Sequence, residues 1–152
     1  MEVSQFERTA SSPLSSHGVN VGFDPGSDHV RTVLVIEDDL DMREIERVTL
    51  DSAGYHVVLA ANGQEGLQLL QNQRPCVIVL DLMMPVMDGL TFLAERRKRG
   101  LAEDVPILCV TAAGHEMQKH ALTLGARECL HKPTNLDELC ERIRHYCELA
   151  AL

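Results

Sequence analysis

Residues 76–80, Cys76-Val77-Ile78-Val79-Leu80, form an unbroken aliphatic run that stops at a single acid, Asp81. So short an apolar run, bounded by turn residues, reads as a strand buried on both faces rather than as a helix. Runs of the same kind stand at 33–36, 57–60, 107–110 and, more weakly, 129–131. Between them lie amphipathic segments with readable ends. Asp41 with Glu44 and Asn135 with Glu138 have the spacing of capping boxes, although Asp39 is an equal candidate for the first cap. Gly54, Gly100 and Gly125 fall where helix C-termini need a left-handed residue. In the last segment Leu136, Leu139, Cys140, Ile143, Cys147 and Ala150 follow one apolar helical face. Five repeats of strand then helix predict parallel strands joined by right-handed crossovers, with helices on both faces: a doubly wound α/β fold.

The remainder of the chain fits one such domain. Residues 1–30 are rich in Ser, Gly, Pro and Asn without periodicity and are read as a flexible N-terminal tail, leaving 31–152 for the domain. Against 14 Lys and Arg stand 23 Asp and Glu, and the net charge of −9 excludes a general binder of phosphate backbones or anionic membranes; direct DNA binding is not expected. With no Trp, two Tyr and three Phe, the core must be built from aliphatic residues and Met. The five cysteines are odd in number, show no CxxC pair and mostly lie inside apolar runs, which favours reduced thiols packed as small hydrophobes. No run approaches the roughly 20 apolar residues needed to cross a bilayer, and no secretory signal is evident. The expectation is a soluble cytoplasmic protein.

In a doubly wound sheet, ligands bind beyond the carboxyl ends of the strands. There the sequence places Glu37-Asp38-Asp39 after the first run, Asp81 after the third, Thr111-Ala112 after the fourth and Lys132-Pro133 after the fifth. Like charges brought to one rim destabilise one another unless a cation sits among them. Oxygen ligands without His or thiolate suit Mg²⁺, with Mn²⁺ as the alternative, better than zinc. A carboxylate, a divalent ion and a lysine make a phosphoryl site, and Asp81, the lone acid ending a central strand, is its expected nucleophile.

These residues resemble the receiver domain of a two-component response regulator, of the single-domain kind found among chemotaxis regulators. The resemblance covers about 32–150 and rests on four motifs in order: 35–39 (Val-Ile-Glu-Asp-Asp), 79–89 (Val-Leu-Asp-Leu-Met-Met-Pro-Val-Met-Asp-Gly), 110–112 (Val-Thr-Ala) and 131–133 (His-Lys-Pro). It implies a flavodoxin-like five-stranded parallel sheet of order 2-1-3-4-5. It also implies phosphoryl transfer onto Asp81 from a sensor histidine kinase, a phosphotransfer protein or a small phosphodonor. Asp38 would bind Mg²⁺ directly and Glu37 through water, with Asp81 and the backbone carbonyl of Met83 completing the protein's share. Thr111 would hydrogen-bond one phosphoryl oxygen and Lys132 would pair with another, across a Lys132-Pro133 bond that is often cis in this family.

Several residues depart from the family's pattern. An aromatic residue usually stands three positions before the lysine and reports phosphorylation; here that switch position holds Cys129, read as a packed strand thiol rather than a redox sensor, so the aromatic part of the switch is missing. Met83 and Ala113, two beyond Asp81 and Thr111, cannot orient water with a polar side chain, which predicts slow self-hydrolysis of the acyl phosphate. Asp88 is read as a helix cap, Arg96-Arg97-Lys98-Arg99 as a solvated cationic face, and His115 with His120 as too far apart on a helix to share a metal. Chain length suggests a stand-alone receiver, not an enzyme acting on external substrates. Its output would be a partner bound through 115–149, as a monomer or weak homodimer. The rival readings are a flavodoxin-like cofactor module and an aspartate-nucleophile phosphohydrolase. The first would want a phosphate-binding loop in place of Glu37-Asp38-Asp39, and the second a further acid at the position of Met83.

Overall fold

In a computed structural model, which describes residues 30–150, each aliphatic run forms a strand and each amphipathic segment a helix. The order is β1 (Thr32–Ile36), α1 (Leu40–Ser52), β2 (His56–Ala60), α2 (Gly63–Leu69), β3 (Val77–Leu80), α3 (Gly89–Arg99), β4 (Ile107–Thr111), α4 (His115–Thr123), β5 (Glu128–His131) and α5 (Leu136–Ala150). All strand pairs are parallel and the sheet runs β2-β1-β3-β4-β5, the doubly wound order expected. Residues 1–29, most of the segment read as a flexible tail, lie outside the described residues.

Burial follows position in the sheet. The central strands β3 and β4 are buried at every residue and β1 at all but its first, whereas the edge strands β2 and β5 stay partly exposed. A parallel strand covered by helices above and below has no solvent face, so its residues lose polar alternation, which is why runs such as 76–80 are uniformly apolar. On one face Leu34, Ile36, Ile78, Leu80, Ile107 and Cys109 pack under α2, α3 and α4, with Leu67, Phe92 and Ala121 contributed by those helices. On the other face Val33, Val35, Val79, Leu108 and Val110 meet Leu50 of α1 and Leu139, Ile143 and Tyr146 of α5.

The local signals mostly act where the sequence places them. Asn135 Oδ1 accepts from the amides of Asp137 (2.7 Å) and Glu138 (3.2 Å), and Asp88 Oδ1 from that of Thr91 (2.8 Å). Asp39, not Asp41, caps α1, because its backbone is still extended where the chain leaves β1 and its side chain accepts from Met42 N at 2.9 Å. Gly54, Gly100 and Gly125 have φ of +100°, +65° and +118°, the left-handed values expected of them.

Two expectations are corrected. Arg96 does not belong to the solvated cationic face: it is buried, and its Nη1 donates to the carbonyls of Ala102 (2.8 Å) and Leu101 (3.3 Å), closing the connection from α3 to β4, while Arg97, Lys98 and Arg99 remain exposed. Nor are all cysteines thiols. Cys76, at the head of β3, is disulfide-bonded to Cys147 of α5 across a Cα separation of 5.0 Å, leaving Cys109, Cys129 and Cys140 free. The partners are 71 residues apart, so only the packing of α5 against the sheet brings them together.

Val86, in the loop after β3, has φ of +70° and is 82% exposed. A β-branched residue in the left-handed region is strained, and this one buries little to offset it. Val86→Asn should therefore raise stability by about 1 kcal/mol, read as a higher urea midpoint with an unchanged slope; an unaltered midpoint would contradict the strain.

Candidate functional site

Main-chain pairing brings the site residues to one rim. Asp81 N donates to the Ile36 carbonyl (3.0 Å) and Lys132 N to the Thr111 carbonyl (2.9 Å), so the ends of β1 and β3 are tied together, as are those of β4 and β5. Glu37, Asp38 and Asp81 each present a carboxylate oxygen there, all within 4.8 Å of one another. Lys132 Nζ lies 2.8 Å from Glu37 Oε1 and 3.3 Å from Asp81 Oδ2. The Lys132-Pro133 bond is cis, as the resemblance implied.

Burial divides the acids. The Asp81 and Glu37 side chains are only 8% and 3% exposed, whereas Asp38 faces solvent. Glu37 also accepts from the Asp39 amide at 3.1 Å. Burial lifts the Glu37 carboxyl above its ordinary value and the charge of Asp81 adds to this, outweighing the bonds from Lys132 and the Asp39 amide. Burial also acts against the Lys132 ammonium, but its hydrogen bond to Glu37 and the charges of both carboxylates prevail and raise it above the usual lysine range. Lys132 meets two of the three clustered carboxylates, Glu37 and Asp81, so the cluster keeps an excess of negative charge whose oxygen donors fit a hard divalent cation.

Backbone and small residues frame Asp81. Its Oδ1 accepts from the Met83 amide at 3.3 Å, while the Met83 side chain points out and is 56% exposed. Gly89 lies under the same turn: a Cβ there would fall 2.5 Å from the Asp81 carbonyl oxygen and 2.7 Å from Leu82 Cα, so α3 can begin this close only with glycine. Thr111 is fully buried and its hydroxyl accepts from the Ala113 amide at 3.1 Å. Cys129 lies half-buried on β5 and donates its thiol to the Gln118 carbonyl at 3.7 Å. Among the described residues, no side-chain hydrogen bond joins Thr111 or Cys129 directly to the acidic cluster.

Sequence reasoning missed Glu46. It lies on the inward face of α1, four residues before Leu50, and is only 2% exposed; its Oε1 has no hydrogen-bond partner among the described residues. With Lys132 it lines a cleft of about 530 Å³ whose other walls include Met42, Ile45, Val110, Ala112, Leu136 and Leu139. Burial is the main cause of a pKa raised to about 7; the charges of Glu37 and Asp81 add to the rise and Lys132 opposes it. The signal was present in the sequence, since Glu46 and Leu50 have the spacing of one helical stripe, but an acid in such a stripe reads as solvated until its surroundings are known.

Fold and rim define the class: an α/β domain with an acidic, lysine-bearing site at the carboxyl edge of a doubly wound sheet. The chain belongs to the response regulator receiver domain family, whose model matches residues 33–144. Response regulator MprA of Mycobacterium sp. (strain KMS) is 43% identical over 113 residues, covering 74% of this chain and 48% of that protein. The chain thus spans about half the length of the curated relatives it matches, and chain length no longer supports the stand-alone reading. Among solved structures, chemotaxis protein CheY4 of Vibrio cholerae has a TM-score of 0.72 at 33% identity, over 78% of this chain and 99% of that one. The receiver domain of sensor histidine kinase PA1611 from Pseudomonas aeruginosa PAO1, with a magnesium ion coordinated in its active-site cleft, has a TM-score of 0.72 at 27% identity over 79% and 99%.

Proposed function

We propose that the protein is a phosphoacceptor switch in which Asp81 takes a phosphoryl group from a sensor histidine kinase, a phosphotransfer protein or a small phosphodonor. The observation that carries this reading is the meeting of Glu37, Asp38, Asp81 and the Lys132 ammonium at one rim. An Asp81 oxygen attacks phosphorus, the bond to the donor imidazole or acyl oxygen breaks, and the donor group leaves, giving an acyl phosphate. Lys132, already beside Asp81, meets the incoming phosphoryl oxygens with positive charge. Asp38 and Asp81, with the Met83 carbonyl, would hold Mg²⁺ directly and Glu37 through water; the ion, when bound, neutralises phosphoryl oxygens. The same reading places the protein in the cytoplasm with its phosphodonors.

Output would leave through the face formed by 115–149, and a path of contacts supports this. The Thr111 hydroxyl holds the Ala113 amide, the Ala113 carbonyl accepts from Gln118 Nε2 at 2.7 Å, and the same nitrogen lies 3.1 Å from His131 Nδ1. A Thr111 hydroxyl turned toward a phosphoryl oxygen would release Ala113, loosening the tie between the β4–α4 loop and α4 and shifting the population of partner-binding conformations.

Incubation with acetyl phosphate, with and without Mg²⁺, followed by intact mass measurement tests the proposal. A phosphoryl adduct that depends on the metal is expected; no adduct under either condition would overturn it. The adduct should decay slowly, and Met83→Asn, which sets a water-orienting amide beside Asp81, should hasten that decay several-fold; equal decay of the two proteins would refute the role of this position.

A further inference from the structure

Cys109 of β4 and Cys129 of β5 stand opposite one another in the strand register. Neighbouring strands run about 4.8 Å apart, and disulfides span Cα separations of about 4.4–6.8 Å, so a register pair meets the Cα requirement and needs only a small approach of the two side chains to bond. Both side chains project to the face covered by α2, α3 and α4, Cys109 within that core and Cys129 packed against it. Cys109 is fully buried while Cys129 is half-buried, so one thiol is reachable and the other waits behind it. The neighbouring Cys109 thiol holds that of Cys129 below its ordinary pKa against the opposing effect of burial, and is itself pushed well up by Cys129 and by its own burial. The other three cysteines lie on the opposite face: Cys147 is part of that core, and Cys76 and Cys140 pack against it. The sheet therefore separates this pair from every other cysteine.

We propose that Cys109 and Cys129 form a peroxide-oxidisable dithiol, a redox modification site built across β4 and β5 behind Thr111 and Lys132. The Cys129 thiolate attacks one oxygen of hydrogen peroxide; the O–O bond breaks, and the departing hydroxide takes up a proton to leave as water, giving a sulfenic acid at Cys129. The Cys109 sulfur then attacks the Cys129 sulfur, the S–O bond breaks, and the hydroxide leaves as water with the Cys109 proton. Two thiols are oxidised to one disulfide while one peroxide is reduced to two waters. The bond withdraws the Cys129 thiol from the Gln118 carbonyl and fixes β4 to β5 two residues before Thr111 and three before Lys132. This does not rest on Asp81 accepting a phosphoryl group, and its test uses no phosphodonor.

The folded full-length chain is treated with a small excess of hydrogen peroxide, alkylated under denaturing conditions, digested and mapped. The expected result is an intact mass lower by two hydrogens, a peptide linking Cys109 to Cys129, and one alkylatable thiol, Cys140, in place of the three free thiols of the untreated protein. In Cys109→Ala, which trims the buried partner but leaves the reachable thiol, Cys129 should gain oxygen without forming a bridge. A bridge to Cys140, oxygen retained on wild-type Cys129 without a bridge, or three thiols surviving treatment would each overturn the proposal.

Discussion

Asp81→Asn should fold as well as the wild type and take up no phosphoryl group from acetyl phosphate. An amide is a poor nucleophile toward phosphorus, and the substitution also removes one of the three carboxylates that would hold the metal. Stability should change little, because two effects oppose one another. The Lys132 ammonium loses a partner at 3.3 Å but keeps Glu37 at 2.8 Å, while Glu37 is freed from a like charge that raises its pKa. For interactions of opposite sign at comparable distance the net change should stay within about 1 kcal/mol. Intact mass and urea unfolding of the same preparation separate the outcomes. A phosphoryl adduct on Asp81→Asn would move the acceptor elsewhere, and loss of the folded state would make Asp81 a structural residue.

Glu46→Leu should raise stability by about 3 kcal/mol above neutral pH and by much less in mild acid. The sign follows from the carboxyl's environment. Its pKa is raised from an ordinary 4.5 to about 7 in the folded protein, chiefly by burial, so the unfolded chain ionises first. The folded state has its full stability below pH 4.5 and loses it progressively as pH rises to about 7, where the carboxylate must be held in an apolar cleft with Oε1 unpartnered. Every tenfold change in the proton's binding constant between the folded and unfolded chain is worth about 1.4 kcal/mol, hence the total of about 3. Leucine fits the surroundings of Met42, Val110 and Leu139 and carries no charge. Urea midpoints of both proteins at pH 5 and pH 8 check this: the wild type should weaken markedly across the interval and the variant less, with a residual slope of the same sign from Glu37, whose pKa is also raised. Parallel pH profiles would dispose of the idea.

How legible each feature was depends on how local its cause is. β3 and Asp81 could be read directly, because a strand buried on both faces needs an unbroken apolar run and the acid closing it reaches the carboxyl rim by topology alone. The caps at Asp88 and Asn135 and the left-handed glycines were readable for the same reason, since their bonding partners lie within three or four residues. Arg96 was misread because its acceptors, the carbonyls of Leu101 and Ala102, lie past the helix end and become reachable only once the chain turns back toward β4.

The parallel sheet and the arrival of Glu37, Asp38, Asp81, Thr111 and Lys132 at strand ends on one rim follow from periodicity and connection rules, which act between neighbours in the chain and are encoded residue by residue, while the strand order was implied by the family resemblance. The pairing of Lys132 with Glu37, 95 residues earlier, depends on side chains from elements distant in sequence, as do the Cys76–Cys147 bond, the register pairing of Cys109 with Cys129 and the sealing of Glu46 beneath α5. Burial and contact at such positions arise only when separate elements pack, and no local pattern carries that information.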